Sequence, residues 1–299
     1  MCIGKIDYLC TTIKEQRTMR IDLQKKIDNA LFLIEKGAES AKKCGQPLEI
    51  CYSGGKDSDV ILELAKEAGV PFEAIYKNTT IDPPHTHTHC KSKGVKMVNP
   101  KRTFAQIIQD KGFPSRYARF CCSELKEYKI YDNAVVGVRK AESKKRAERY
   151  KESIICHIYG KKTITTQQFL PILEWSDKDV ADFVESKAIT CHPLYYDESG
   201  KFCVERRLGC LCCPLQSRNK RIAEFKKYPN FVRFYCKNGQ KWLDLHPHIN
   251  TKGKDIFEKF VMTTFFDSFD DFLMKTTGMF GKVDCKEFLQ NYFGVDLNF

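Results

Sequence analysis

The chain has 299 residues, 42% of them hydrophobic and 29% charged, with a formal net charge of +12. That apolar content supplies a sizeable core and excludes a wholly disordered chain, while roughly 150 residues per domain gives a prior of about two domains. No apolar run approaches a membrane span, and the opening MCIGKIDYLCTTIKEQR lacks the apolar stretch of a secretory signal, so the expectation is a soluble, cytoplasmic protein without a membrane partner.

Residues 21–43 carry apolar side chains at helical spacing and end at Gly45, which predicts a long amphipathic helix. LEICY (48–52) reads as a short buried strand, followed by a glycine turn at 53–58 and a helix over 59–69. A strand over 72–78 leads into a loop marked by paired prolines. Next come a strand over 95–99, helices over 103–112 and 122–131, and a strand over 133–139 that opens into a very basic helix. This alternation argues for an α/β fold: a doubly wound parallel sheet covered on both faces. After about Gln168 the pattern changes to a helix over 176–188, a cysteine-rich loop, and a mainly helical region from Asn219 onward. The expected division is an N-terminal helical segment (1–47), an α/β domain (48–218) and a helical C-terminal region (219–299).

The positive charge is local. Arg139 to Lys162 holds nine basic and three acidic residues, and Lys201 to Lys227 eight basic and two acidic. Clustered positive charge suits a polyanion, either nucleotide phosphates or a nucleic-acid backbone, although a merely solvated face has the same composition. The 15 cysteines are an odd number in a chain with no export signal, so a disulfide framework is not expected. Cys44, Cys51, Cys156, Cys191 and Cys236 read as lone core thiols. The clusters Cys121–Cys122 and Cys210, Cys212, Cys213 point instead to metal or redox chemistry. His85, His87 and His89 form an H-x-H-x-H tract, which reads more readily as polar surface at a helix start than as a metal site.

Ser53-Gly54-Gly55-Lys56-Asp57-Ser58 lies where a strand hands over to a helix. Two glycines let backbone N–H groups approach a phosphate, the helix turns its positive end to the same anion, and Lys56 adds a mobile charge. Asp57 follows Lys56 where a Walker A loop needs Ser or Thr, so that motif is excluded.

The hexapeptide resembles the pyrophosphate loop of the N-type ATP pyrophosphatases, the adenine nucleotide alpha hydrolase-like superfamily. Arg119-Phe120-Cys121-Cys122-Ser123-Glu124-Leu125-Lys126, Gly137-Val138-Arg139-Lys140-Ala141-Glu142-Ser143 and Arg207-Leu208-Gly209-Cys210-Leu211-Cys212-Cys213-Pro214 follow at intervals similar to those of one branch. That branch is the phosphoadenosine phosphosulfate (PAPS) reductase family, including the DNA phosphorothioation sulfurtransferases. Pro171-Ile172-Leu173-Glu174-Trp175-Ser176 also looks like its approach to the cysteine loop, and the likeness spans about residues 48–230.

The resemblance implies ATP bound by Ser53 to Ser58, with attack at the α-phosphate and release of pyrophosphate. Lys56, Asp57 and Arg139 would be the catalytic residues, with Mg²⁺ bridging the phosphate oxygens. Cys121, Cys122, Cys210 and Cys213 would hold a four-iron (4Fe-4S) cluster, with a four-thiolate zinc site as the alternative. Cys212 stays open as spare thiol, competing ligand or redox partner. The implied activity is an ATP-dependent sulfurtransferase acting on DNA, tRNA or a nucleotide-like substrate, fed by a sulfur donor such as a cysteine desulfurase. A sulfonucleotide reductase is the first alternative. The last cysteine, Cys285, lacks the Gly-Leu-His that follows the family's nucleophile, and the intact loop also counts against a reductase. A cluster-bearing, non-catalytic nucleic-acid-binding protein is the second.

Overall fold

The computed structural model describes residues 3–159, 164–248, 255–278 and 281–299, with side chains from residue 21 onward. Lys161 and Lys162 of the first basic segment lie outside the described residues. In chain order the elements are α1 (Ile3–Lys43), β1 (Leu48–Tyr52), α2 (Lys56–Glu67), β2 (Phe72–Lys77), α3 (Thr86–Ser92), β3 (Lys96–Val98), α4 (Phe104–Lys111), α5 (Phe120–Leu125), β4 (Asn133–Val136) and α6 (Lys144–Arg149). There follow β5 (Ile154–Tyr159), β6 (Ile164–Phe169), α7 (Asp177–Ser186), α8 (Arg218–Lys227), α9 (Asn230–Leu245), α10 (Ile256–Phe265), α11 (Phe269–Thr276), the short pair β7 (Thr277–Gly278) and β8 (Gly281–Lys282), and α12 (Cys285–Phe293). Among the described residues no helix is long and apolar enough to cross a membrane.

The chain separates into two compact units. The first comprises Met1–Lys77, Pro84–Val98 and Lys129–Leu208, and the second Asn78–Pro83, Asn99–Tyr128 and Gly209–Phe299. The first unit is built on a six-stranded sheet of order β3-β2-β1-β4-β6-β5. All neighbours are parallel except β5 and β6. The strand order runs outward from β1 to β3 and then resumes on the other side at β4, the reversal that defines a doubly wound α/β sheet and sets its ligand edge. Alternate residues of β1 (Leu48, Ile50, Tyr52) face a core shared with Ile34 of α1, Val60, Ile61 and Leu64 of α2, and Phe183 of α7. The antiparallel hairpin of β5 and β6 was not expected. Its second strand, ITTQQF, carries polar residues at most positions and lacks the apolar run by which a buried strand is read.

The second unit is helical apart from the short β7–β8 pair. Its core is aromatic: Phe104 of α4, Phe225 of α8, Tyr235 of α9, Phe260 of α10, Phe272 of α11 and Phe293 of α12 are all buried together. Thr103 caps α4 in a reciprocal capping box with Gln106, which sets its start. The helix expected over 122–131 is only α5, ending at Leu125. Leu125 is its one buried residue, and the helix closes where the N–H groups of Lys126 and Glu127 both donate to the Cys122 carbonyl.

Candidate functional site

In the first unit α2 begins at Lys56, three residues before the predicted start, so Lys56, Asp57 and Ser58 form its opening turn. The chain reverses at Gly54, whose φ of +77° favours glycine, and a Cβ there would stand 3.1 Å from the Thr86 side chain. Gly55 is the N-cap and offers no side chain, so the first N–H groups of α2 carry no side-chain cap and mark a positive end suited to an anion. The Gly55 carbonyl accepts from the Ser58 N–H at 2.9 Å and from the Ser58 hydroxyl at 2.6 Å, which fixes the turn. Ser53 Oγ in turn accepts from the Gly55 N–H at 3.4 Å.

Lys56 is buried. Its Nζ stands 3.4 Å from Asp57 Oδ2 and 3.4 Å from the Arg206 carbonyl oxygen, and 5.3 Å from the centre of the Tyr195 ring. Tyr195 is core as well, its hydroxyl accepting from the Leu208 N–H at 3.2 Å. Arg139 is 1% exposed, and its guanidinium is divided among Asp57 Oδ1 (2.6 Å from Nε), the Trp175 carbonyl (3.3 Å) and Asp177 Oδ1 (2.8 Å). The geometry makes Arg139 an anchor for the first turn of α2 and not a free phosphate ligand. Gly137 permits the approach, since a Cβ there would meet the Asp57 carbonyl oxygen at 3.0 Å.

Beneath the loop lies a set of residues that sequence reasoning did not assemble. Tyr52 donates its hydroxyl to Asp59 Oδ1 at 2.5 Å, and His89 Nε2 stands 3.0 and 3.1 Å from the two Asp59 oxygens. Burial, then the Asp59 carboxylate, hold the Tyr52 phenol protonated well above its ordinary range. Of the histidine tract, His85 is the N-cap of α3 at φ +70° while His89 is buried, so the surface expected for the tract turns inward at its last member. Its signal was the i, i+4 spacing from the helix start. His192 is also buried: its Nδ1 accepts from the Leu194 N–H, and burial lowers its pKa.

Within this unit the two basic segments meet at Glu142. Its carboxylate pairs with Arg146, and its carbonyl accepts from Arg207. Burial first, then the neighbouring Arg207 charge, lower the Arg146 pKa. Lys144, Lys145 and Arg149 of α6 are exposed.

In the second unit Cys121, Cys122, Cys210 and Cys213 line one pocket with Thr79, Ile81, Phe104, Leu125, Lys126, Pro214 and Tyr235. All four thiols are free. The Cys210 thiol points to Thr79 Oγ1 at 3.7 Å. Hydrogen bonding from Cys121 and the nearby Arg119 favour the thiolate of Cys122, while Cys121 is held protonated. Lys126 is exposed as a residue and also lines the pocket. Desolvation lowers its pKa, and the charges of Cys210 and Asp82 outweigh this and leave it raised. The spacing of four residues from Cys122 was the signal that could have marked it.

Cys212 is not among the lining residues. It is fully buried in the aromatic core at φ +53°, its N–H donating to Glu224 at 2.7 Å and its carbonyl accepting from Arg221 at 3.2 Å. Arg221, counted in sequence as part of a basic surface, is itself buried in this role. Among the described residues no three His, Cys, Asp or Glu side chains are disposed about a single metal position. The four cysteines do line one pocket. Four thiols lining one pocket are the kind and number of donors that a four-iron cluster takes, one at each iron.

A doubly wound sheet with a glycine turn and an uncapped helix start at the end of its first strand defines an α/β domain of nucleotide-binding architecture. The model of the phosphoadenosine phosphosulfate reductase domain matches residues 47–216, more than half of the chain, and the chain belongs to that family. It is 30% identical over 241 residues to the uncharacterized protein MJ0066 of Methanocaldococcus jannaschii, covering 72% of this chain and 47% of that protein. It is also 29% identical over 163 residues to an uncharacterized 37.8 kDa protein of Escherichia phage 186, covering 47% and 44%. The chain thus spans about half the length of the curated relatives it matches. Among solved structures, a phosphoadenylyl-sulfate reductase of Candida auris in a phosphate complex aligns with a TM-score of 0.43 at 14% identity, over 59% of this chain and 87% of that one. The FMN adenylyltransferase of Candida glabrata aligns with a TM-score of 0.41 at 14% identity, over 58% and 59%.

Proposed function

We propose that the chain is an ATP-dependent sulfurtransferase carrying a 4Fe-4S cluster, which adenylates a nucleic-acid or nucleotide-like acceptor and releases pyrophosphate. The observation that carries this reading is the intact Ser53–Ser58 turn. It has an uncapped helix start, a buried Lys56 and, in Arg139, a guanidinium anchor that holds Asp57. An acceptor oxygen attacks the α-phosphorus of Mg²⁺-bound ATP, and the bond to pyrophosphate breaks. The first-turn N–H groups and Lys56 stabilise the departing charge. A sulfur nucleophile from an external donor then displaces AMP. Cys121, Cys122, Cys210 and Cys213 would hold the cluster, which when bound would supply a site for sulfur. The segments joined at Glu142 favour a polyanionic acceptor.

A sulfonucleotide reductase needs an accessible nucleophilic thiol late in the chain. Cys285 is buried, and burial pushes its pKa up to about 11, which favours the transferase. Product analysis tests the reading: AMP and pyrophosphate in equal amounts, reduced at least about tenfold in Lys56→Ala by loss of one charge-assisted contact. ADP and phosphate as the main products would overturn it.

A further inference from the structure

Tyr235, near the start of α9, has no role in the reading so far. Its ring lies 5.6 Å from Phe104, 5.8 Å from Phe113, 5.6 Å from Phe225 and 6.1 Å from Phe260, centre to centre. In such surroundings a phenylalanine would pack equally well and bring no polar atom. Tyr235 is 1% exposed, yet its hydroxyl has no hydrogen-bond partner among the described residues. A buried hydroxyl left unpaired costs roughly 1–3 kcal/mol, so its retention in an apolar wall calls for a partner. The residue lines the cysteine pocket. It therefore shares the wall of that pocket with all four of its thiols.

We propose that Tyr235 donates its hydroxyl to a sulfur of the cluster held by the four cysteines, and so sets its reduction potential. The proposal rests on the reading that Cys121, Cys122, Cys210 and Cys213 hold that cluster. A donor aimed at sulfur stabilises the more negative, reduced form, and such contacts are among the protein's main controls over potential. Tyr235 is not a ligand and moves no proton.

The test compares anaerobically purified wild type with Tyr235→Phe, first by iron and sulfide content and then by redox titration. The expected result is equal iron and sulfide, a more negative midpoint potential in Tyr235→Phe, and loss of an exchangeable-proton coupling from the reduced cluster's electron–nuclear double resonance spectrum. Equal loading with an unchanged potential and unchanged coupling overturns the proposal while leaving the cluster intact as a reading. Absence of iron and sulfide in the wild type overturns the reading and the proposal with it. If Tyr235→Phe loads poorly, 3-fluorotyrosine placed at position 235 by nonsense suppression keeps the ring and strengthens the donor. The potential then moves in the positive direction, and no movement counts against the proposal.

Discussion

The two units treat buried polar groups in different ways. In the sheet unit the buried charged groups are paired, Arg139 with Asp57 and Asp177, Asp59 with Tyr52 and His89, Glu49 with Lys77 at 3.5 Å, and among its described residues Asn133 Oδ1 is the one buried side-chain atom without a hydrogen-bond partner. In the helical unit an aromatic core surrounds four free thiols, and Tyr235 Oη, Gln216 Oε1 and Thr264 Oγ1 are buried without a hydrogen-bond partner among the described residues. Burying polar groups is tolerated when they are paired and is expensive otherwise. On the proposed function the sheet unit is a rigid mount for an anion. On the same reading the helical unit is a shell around the cysteine pocket that the proposed cluster would fill.

If the units divide the chemistry in this way, a substitution in one should spare the signature of the other. The largest effect is expected from Cys121→Ser, Cys122→Ser, Cys210→Ser or Cys213→Ser. Each should reduce iron from about four per chain to near zero, while ATP binding measured by calorimetry persists. Cys212→Ser should keep its iron, because that side chain is packed in the core and does not line the pocket. Iron lost from Cys212→Ser but kept in Cys213→Ser would reassign the ligands.

Arg139→Ala reverses the pattern. Removing one partner of a buried ionic network costs roughly 3–5 kcal/mol, to be read by denaturant titration, and ATP affinity should fall with it. Arg139→Lys should restore part of the stability and little of the geometry, since a point charge cannot span Asp57, Asp177 and the Trp175 carbonyl at once. An Arg139→Ala protein of wild-type stability and ATP affinity would break the picture of a rigid mount.

Lys144→Glu with Lys145→Glu is expected to act more gently. Both residues are exposed and distant in sequence from every thiol of the pocket. If they meet nucleic-acid phosphates, the slope of log affinity against log salt should flatten by roughly 0.7 to 0.9 for each phosphate no longer neutralised, with iron content unchanged. An unaltered slope would reduce α6 to a solvated face. The smallest effect belongs to Cys285→Ser, for which turnover should stay within about twofold, because the thiol is buried and held protonated. Abolished turnover with retained fold would restore the reductase reading.

Much of the sheet unit was legible in the sequence. LEICY matches β1 residue for residue, and the glycine turn after it falls where expected. Local pattern is enough there because a parallel strand buried on both sides is an apolar run and its turn needs glycine. The helical unit was less legible. Residues 78–83 and 99–128 join 209–299 in one unit, and no local period announces contacts made across such intervals. The cysteines were visible as clusters, but their common wall, the inward Arg221 and the unpaired Tyr235 hydroxyl depend on packing that sequence spacing does not encode. His89 escaped for the same reason: its partner, Asp59, lies 30 positions away on another helix.

The most direct measurement is metal and sulfide analysis of the protein purified without oxygen, together with its absorption spectrum. The account predicts about four irons and matching acid-labile sulfide per chain, with a broad absorption that bleaches on reduction. Stoichiometric zinc without sulfide would contradict it.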